Sequence, residues 1–553
     1  MPKIPFWIFI LLALLYFSSV RVDTMDIDAS QQAEISREMM VSHDYFHLYD
    51  RGKDYLDKPP FLFQASSVSM LIFGVNNFGY KFPSILFALL ALFAVYRLTR
   101  LLYNEETGRL AALILGTCQG FFLMTNDIRT DTILMGWTIT SIWLIKEWEV
   151  HGKLKHLLLG AACIAFGMMT KGPVAIMVPV FCFASDWVLK REWRYFFKPQ
   201  YIWVLIVIAI LLIPMSIGLY QQFDMHPERH VNGSTHISGL RFFYWSQSFG
   251  RITGESPWSN GAGFDFLMSN MLWMFLPWIL LFFTALIINV VGLVKQGFKL
   301  NPKQEWLSTG GFIITYCSLA SSHYQLPHYL YIAFPLAAII TAALIKDLFD
   351  GKYKAVYAVA KPAQVFVSLV LFTGALMAVI YVFPARQIVI IAWGLCFLFW
   401  LFLAFRKQLQ YKMVWLSVAA IMIANIFLTN HFYTALLKYQ VGSQVGRYIQ
   451  AKNIPSNKIL AYRMQDPLDA LPLYAQRVIP VSDTMLLSIQ PGTQYILTMD
   501  TGMNELATRG YLYDTIKHSK LFKVSELTPE FLNPATRDHE LKDYYLLRLK
   551  NNG

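Results

Sequence analysis

The chain has 553 residues, 56% of them hydrophobic and only 15% charged, with a formal net charge of +12. A soluble globular protein carries about 25% charged residues, and a disordered chain lacks this much apolar material, so both classes are excluded. The mean hydropathy of +0.42 and the many apolar runs indicate a polytopic membrane protein. The basic excess falls in short loops between those runs, a topology signal rather than a nucleic-acid patch.

The first apolar run, Pro5 to Val20, follows Lys3. Alone it fits a cleaved signal peptide or a retained helix. The number of runs that follow favours a retained helix with a cytoplasmic N-terminus. Those runs are Phe82–Tyr96, Leu110–Met124, Thr132–Trp148, Leu157–Met169, Val174–Leu189, Tyr201–Tyr220, Phe266–Val294, Trp306–Ala320, Tyr329–Ile345, Ala363–Phe383, Ile388–Phe405 and Met413–Phe432. Roughly 20 residues at 1.5 Å each cross a hydrocarbon core of about 30 Å. Pro214 and Pro335 lie inside two runs and predict kinks. The expected fold is a polytopic α-helical membrane protein with about 13 transmembrane helices in residues 1–432, then an extracytoplasmic α/β domain over 433–553.

Charge sets the orientation. Six alternate connections hold 20 basic residues: Arg97/Arg100/Arg109, Lys146/Lys153/Lys155, Lys190/Arg191/Arg194/Lys198, Lys295/Lys299/Lys303, Lys346/Lys352/Lys354/Lys361 and Arg406/Lys407/Lys412. The intervening short connections hold Arg129, Lys171 and Arg386. The first group is assigned to the cytoplasm. The loops at about 21–60 and 221–265, and the tail, then face the other side.

In the tail, β-like runs (Lys458–Tyr462, Arg477–Val481, Gln494–Met499, Tyr544–Leu549) alternate with helical patterns (Asp469–Gln476, Met503–Ser519). It contains no Gly-rich phosphate loop, HExxH or GxSxG. Cys118, Cys163, Cys182, Cys317 and Cys396 sit in apolar runs without a CxxC. They read as small buried hydrophobes rather than disulfides or zinc ligands.

The first outer loop carries the strongest chemistry. Asp28 precedes a helix-forming run and reads either as its N-cap or as a carboxylate aimed at a reacting group. Ala33, Ile35, Met39 and Met40 give that helix an apolar side suited to the membrane surface. Asp26-Ile27-Asp28 is also a D-x-D, but it follows an apolar helix rather than a strand, so a metal is not expected. In Tyr55-Leu56-Asp57-Lys58-Pro59-Pro60 the prolines stiffen the chain and hold Lys58 at the membrane boundary. It suits a lipid phosphate, or it is a snorkelling lysine. Asp127, Arg129 and Asp131 crowd one short loop and must face water or a cavity. Lys171 stands alone between two spans. Arg251, near Gln247 in an aromatic stretch, has the side chain best suited to bidentate phosphate binding. His323 and His328 share a face, but they lack a third zinc ligand. All these residues gather at one membrane surface, where an enzyme would take a lipid phosphate from the bilayer.

These motifs resemble the bacterial GT-C glycosyltransferases of the dolichyl-phosphate-mannose-protein mannosyltransferase-like superfamily, and within it the lipid A aminoarabinose transferases. The resemblance rests on Asp28 with Ala33-Glu34-Ile35-Ser36-Arg37-Glu38-Met39, and on Asp57-Lys58-Pro59. It continues through Asp131, Met169-Thr170-Lys171-Gly172, Trp245 to Arg251 and Leu326-Pro327-His328-Tyr329. It implies inverting transfer of a hexose or pentose from a polyprenyl-phosphate donor, at the periplasmic face of the bacterial inner membrane. It makes Asp28 and Asp131 the catalytic residues and Lys58 and Arg251 the donor-phosphate ligands. Asp57, Tyr55, Lys171, Gln247 and His328 become sugar or acceptor contacts. No metal or other cofactor is required, because the leaving phosphate is already a stable anion. The implied partners are the membrane lipid donor and a protein, glycan or lipid A acceptor, with no nucleic acid and a monomeric chain.

Four positions depart from the family pattern. Ala29 follows Asp28 where a Glu is usual, Gln31 stands in place of an Arg, Ser248 in place of a His, and Gln325 in place of a basic residue. They leave the sugar and the acceptor open. The alternative from another class is a transporter or flippase, which predicts charges near the midplane and paired broken helices.

Overall fold

The computed structural model describes residues 4–255, 258–406, 411–483 and 492–550. Lys3, which precedes the first apolar run, and Lys407 of the charge pattern lie outside them. Each of the thirteen apolar runs falls on a helix or on a pair of consecutive helices. The chain opens with α1 (Trp7–Ser18), the loop helices α2 (Asp28–Ser42) and α3 (Phe61–Phe73), then α4 (Asn77–Leu102), α5 (Glu105–Gly116) and α6 (Gln119–Asn126). It continues with α7 (Thr130–His151), α8 (Leu154–Lys171), α9 (Val174–Lys190), α10 (Tyr201–Leu219), the short α11 (Phe249–Thr253), α12 (Phe266–Met274) and α13 (Ile279–Lys295). The last membrane-region helices are α14 (Leu307–Ala320), α15 (Phe334–Phe349), α16 (Lys354–Met377), α17 (Gln387–Phe405) and α18 (Lys412–Phe427).

Among the described residues, seven helical stretches are long and apolar enough to cross a membrane, or eight if α5 and α6, bent by 56°, form one span. This is a polytopic helical membrane protein. The bend has identifiable partners. Gln119 N–H, freed from the helix ladder, donates to Leu276 O at 2.9 Å, and the Trp278 indole donates to Thr117 Oγ1 at 3.0 Å. The stretch Pro327–Phe349 is central, with 78% of its most apolar 18 residues buried, whereas Gln387–Phe405, with 6% of them buried, lies at the rim.

Lys81, near the start of α4, is fully buried. Its Nζ donates to the carbonyls of Ser19, Val22 and Asn126 at 3.0, 2.9 and 2.9 Å. It thereby ties together the chain leaving α1 and the end of α6, satisfying carbonyls left free at both places.

Several sequence expectations change. Asp28 is the first residue of α2 rather than its N-cap: Ile27 holds that position, and no side chain caps the helix. The Asp28 carboxylate is taken by Arg129 instead. Nor does α2 lie free on a membrane surface. Ala29, Ala33, Glu34, Ile35, Arg37 and Met39 are buried, because α3 covers one side and the tail covers another. Pro335 sits in the first turn of α15, where its missing N–H costs nothing; Pro214 is inside α10 as expected. Cys317 is exposed and Cys396 only partly buried, since they project outward from α14 and α17.

The tail forms a five-stranded mixed sheet in the order β4-β3-β5-β7-β6, apart from the small hairpin β1 (Tyr49–Asp50) and β2 (Lys53–Asp54) of the first loop. Its strands are β3 (Ile459–Tyr462), β4 (Val481–Ser482), β5 (Tyr495–Met499), β6 (Tyr513–Leu521) and β7 (Lys542–Leu549). β3 runs parallel to β4 and β5, and β7 antiparallel to β5 and β6. The helices α19 (Val441–Ala451), α20 (Ala470–Ala475) and α21 (Asp500–Thr508) accompany it. Gly446 lets α19 press onto α20, since a Cβ there would stand 2.8 Å from Tyr474 Cβ.

The helical pattern Met503–Ser519 is thus corrected. The helix stops at Thr508, Gly510 turns the chain at φ +81°, and Tyr513 onward pairs with β7. The strand expected at Arg477–Val481 shrinks to Val481–Ser482, because Pro480 cannot donate to a ladder.

Candidate active site

Chain connections at one end of the bundle deliver the charged residues. Pro59 and Pro60 fix the chain ahead of α3, which places Lys58. Neighbouring helices α7 and α8 bring the start of one to the end of the other. Lys171 Nζ therefore donates to Asp131 Oδ1 at 2.5 Å, and each charge has the sign its helix end favours. Gly172, at φ +84°, reverses the chain into α9, with Ser248 Oγ 3.5 Å from where a Cβ would stand.

Arg251 on α11 is 8% exposed. Its Nη1 donates to the Tyr329 hydroxyl at 2.7 Å, and its guanidinium carbon lies 5.3 Å from the rings of Tyr324 and Trp258. Its Nε is buried without a hydrogen-bond partner among the described residues. Tyr329 links the cations, since Lys171 Nζ sits 4.1 Å over its ring.

Lys58 Nζ donates to Asp57 Oδ2 at 2.7 Å, and Gln247 Nε2 donates to Asp57 Oδ1 at 3.1 Å and to the Asp57 carbonyl. Burial opposes the charge on Asp57, yet Lys58, Arg251 and Gln247 hold its carboxyl below the usual range. Burial likewise opposes the charge on Lys58, while Asp57 and the facing Tyr329 hold its ammonium above the usual range. His328 Nε2 lies 3.8 Å from Asp131 Oδ2.

One cleft of about 100 Å³ joins Lys58, Asp131, Lys171, Gln247, Arg251 and Tyr329, while Asp57 and His328 stand behind its wall. Lys58, Asp131, Lys171, Gln247, Ser248, Arg251 and Tyr329 border its polar part, and Leu134, Val174, Met177, Val178, Phe181, Leu319 and Ile332 its apolar walls. Cations beside hydrocarbon suit a ligand that is anionic at one end and apolar along its length.

Not every expected site residue lines this cleft. Tyr55 packs edge-on to Phe63 with ring centroids 5.9 Å apart. With Asp57 it borders a smaller neighbouring pocket that also touches Phe46, Leu219 and Phe243. Asp28 lies apart, 44% exposed at its side chain. Arg129 donates to it through Nη1 and to Asp127 Oδ2 through Nε at 2.9 Å. His323 is exposed, while His328 is turned in against Asp131.

The D-x-D carboxylates diverge. Asp26 Oδ1 accepts from Ser30 Oγ at 2.6 Å and from Ala470 N–H at 2.8 Å. Among the described residues, no group of three or more His, Cys, Asp or Glu is arranged to hold a metal ion. Two participants escaped the sequence reading. Tyr329 immediately follows His328 in a motif already singled out, and that adjacency was its only signal. Arg129 was visible between two aspartates, but its pairing across 101 positions with Asp28 was not.

The departures from the family pattern also acquire partners. Gln31 Nε2 donates to Asp50 Oδ2 at 2.8 Å. Gln325 is fully buried and donates to Ala320 O, the last residue of α14, at 2.9 Å.

A second charged region lies between α2 and the tail. Arg51 bonds Asp469 and stands 3.4 Å from Asp50. Arg37 makes a bidentate pair with Glu34 at 2.8 and 2.6 Å. Burial, then the like charge of Asp469, pushes Asp26 up to about 7 against the hydrogen bond from Ser30. Burial, with Glu34 close by, pushes Glu38 up to about 7.

Residues 57–217 match the family model described as dolichyl-phosphate-mannose-protein mannosyltransferase. The chain is 27% identical over 334 residues to an undecaprenyl phosphate-alpha-4-amino-4-deoxy-L-arabinose arabinosyl transferase of Edwardsiella ictaluri, covering 59% of this chain and 56% of the relative. It is 25% identical over 372 residues to the enzyme of the same description from Wigglesworthia glossinidia brevipalpis, covering 64% of this chain and 61% of that protein. The matches thus span little more than half the length of these relatives. The crystal structure of ArnT from Cupriavidus metallidurans bound to undecaprenyl phosphate superposes with a TM-score of 0.73 at 15% identity, covering 99% of this chain and 98% of that one. The apo form gives 0.70. The chain is therefore similar in sequence to these GT-C transferases, and it has the ArnT fold over its whole length.

Proposed function

We propose that the protein is an inverting, polyprenyl-phosphate-dependent glycosyltransferase whose donor is an undecaprenyl-phosphate-linked aminopentose. The observation that carries this reading is the convergence of Lys58, Arg251 and Tyr329 on a cleft walled by hydrocarbon. Lys58 and Arg251 bind the donor phosphate and stabilise the charge it gains as the bond to the sugar breaks. Asp131, held by Lys171 beside His328, faces the sugar, Gln247 completes that end, and Asp57 backs Lys58 from the neighbouring pocket. Asp28 serves the acceptor. Because Arg129 already engages Asp28, we favour an acceptor that needs no base, an ionised phosphate such as that of lipid A.

The proposed topology has thirteen spans: α1, α4, the α5–α6 pair, α7, α8, α9, α10, the α12–α13 pair, α14, α15, α16, α17 and α18. The N-terminus lies in the cytoplasm of a bacterial inner membrane. The cleft and the 433–553 domain lie on the periplasmic side. Contact between the tail and the first loop, through Arg51–Asp469 and Ala470–Asp26, supports placing both on one side. The gathering of the charged groups at one end of the bundle supports a transferase over a transporter.

The test uses purified full-length protein with undecaprenyl-phosphate-aminopentose and lipid A. Sugar transfer is expected, and its absence with that donor and with related polyprenyl-linked sugars overturns the reading. Asp28→Asn then reports the acceptor. Loss of a general base for a hydroxyl acceptor costs about 10²–10⁴-fold in turnover. For a phosphate acceptor, the loss is expected to stay below about tenfold. Asp131→Asn should impair transfer with either acceptor.

A further inference from the structure

The side chains around the cleft carry a definite charge balance. Lys58, Lys171 and Arg251 bring three cations. Asp131 takes Lys171 at 2.5 Å, and Asp57 takes Lys58 at 2.7 Å from behind, on the side of the smaller neighbouring pocket. Two carboxylates against three cations leave one positive charge, on Arg251, whose partner is a neutral hydroxyl. Asp57 is fixed in this role. One oxygen faces Lys58 and the other faces Gln247, itself only 7% exposed, which also holds the Asp57 carbonyl.

In the proposed transfer the bond between the sugar C1 and the donor phosphate oxygen breaks, and its electron pair stays on that oxygen. The acceptor oxygen forms the new bond to C1. The donor is a phosphodiester with one negative charge, and the spent lipid is a phosphomonoester with up to two. One net positive charge matches the first and is one short of the second.

We propose that Asp57 is a positioning residue that biases the cleft toward the phosphodiester donor and against the phosphomonoester product, by keeping half of Lys58 for itself. The inference rests on the glycosyl-transfer reading above. A dianion can claim the whole Lys58 ammonium only by uncovering a partly buried carboxylate a few ångströms away, where like charges repel strongly. The cleft therefore holds the product less firmly than the donor. With Asp57 neutralised, the cleft carries two net positive charges and matches the product instead.

The test compares wild type, Asp57→Asn and Asp57→Glu as full-length protein in detergent. The probes are a short polyprenyl phosphate and its methyl diester, with affinities from titration calorimetry. In Asp57→Asn the monoester should bind about tenfold tighter and the diester no more than about threefold tighter. Asp57→Glu should restore the wild-type ratio. In turnover, Asp57→Asn should lower kcat without raising KM for donor, and added polyprenyl phosphate should inhibit it more strongly than wild type. If Asp57→Asn does not fold, Asp57→Ser, which also removes the carboxylate, carries the test and should move the ratio in the same direction. Equal shifts for both probes, or none, overturn the inference while leaving the transferase reading intact. Failure of the wild type to bind either probe overturns the transferase reading itself.

Discussion

Around the cleft, three cations meet two carboxylates. Between α2 and the tail, Asp26, Glu34, Glu38, Asp50 and Asp469 meet Arg37 and Arg51. Both regions pack charge into partly buried protein, where desolvation is costly unless each group is paired. The cleft answers with a cationic surplus left open to a ligand. The interface answers by letting some of its acids keep their protons. A charged cluster therefore reads as a binding site when its surplus faces a cavity, and as a joint when its surplus is proton-bound and closed over by another part of the fold.

Exchanging arginines is the sharpest way to break this comparison. Arg251→Ala removes a charge-assisted phosphate contact of about 1.5–3 kcal/mol, so transfer should fall about 10- to 100-fold. Thermal stability should barely move. Turnover within a factor of two of wild type would place the phosphate elsewhere.

Arg51→Ala should do the reverse. It leaves Asp469 and Asp50 facing each other, and since the Arg51 side chain is 32% exposed, solvent softens the loss to about 2 kcal/mol. Faster hydrogen exchange in α2 and α20, with donor affinity intact, is the expected signature. Equal exchange in variant and wild type would show that the tail is held by apolar contacts alone.

The smallest effect is in pH. Asp26 and Glu38 titrate near 7 in the folded protein, above their unfolded values of about 4. The docked state therefore holds protons that the undocked state has already released. Their stabilisation is fully present below about pH 4 and is lost as pH rises through 7. Docking should weaken by about 1–2 kcal/mol between pH 6.5 and 7.5, and Asp26→Asn should flatten part of that slope. Donor affinity should stay level over the same range, because Lys58 remains charged and Asp57 ionised throughout.

The membrane region was legible because its signal is long and local. Each run from Pro5–Val20 to Met413–Phe432 falls on a helix, in which an apolar segment satisfies its own backbone hydrogen bonds. Part of the clustering was legible: Lys58, Asp131, Lys171, Gln247 and Arg251 line one cleft and His328 stands against Asp131, on one end of the bundle as the charge pattern suggested. Their pairings were not legible. Whether Asp28 caps a helix or binds Arg129 depends on where α7 comes to rest. Whether Tyr329 holds Arg251 depends on how α11 meets the turn before α15. Residues Tyr513–Leu521 have no strong period of their own, and β7 decides their conformation.

Lys81 has a consequence for how the protein is built. Its three carbonyl partners come from the chain just after α1 and from the end of α6, which are made before and after α4. While α4 waits in the bilayer without the Asn126 carbonyl, the Lys81 ammonium is drawn outward toward water. Seating α4 at its final depth therefore requires α6 to have arrived. α1, α4 and the α5–α6 pair settle as a group, and biogenesis acquires a checkpoint there: a chain cut short before Asn126 would leave α4 riding high.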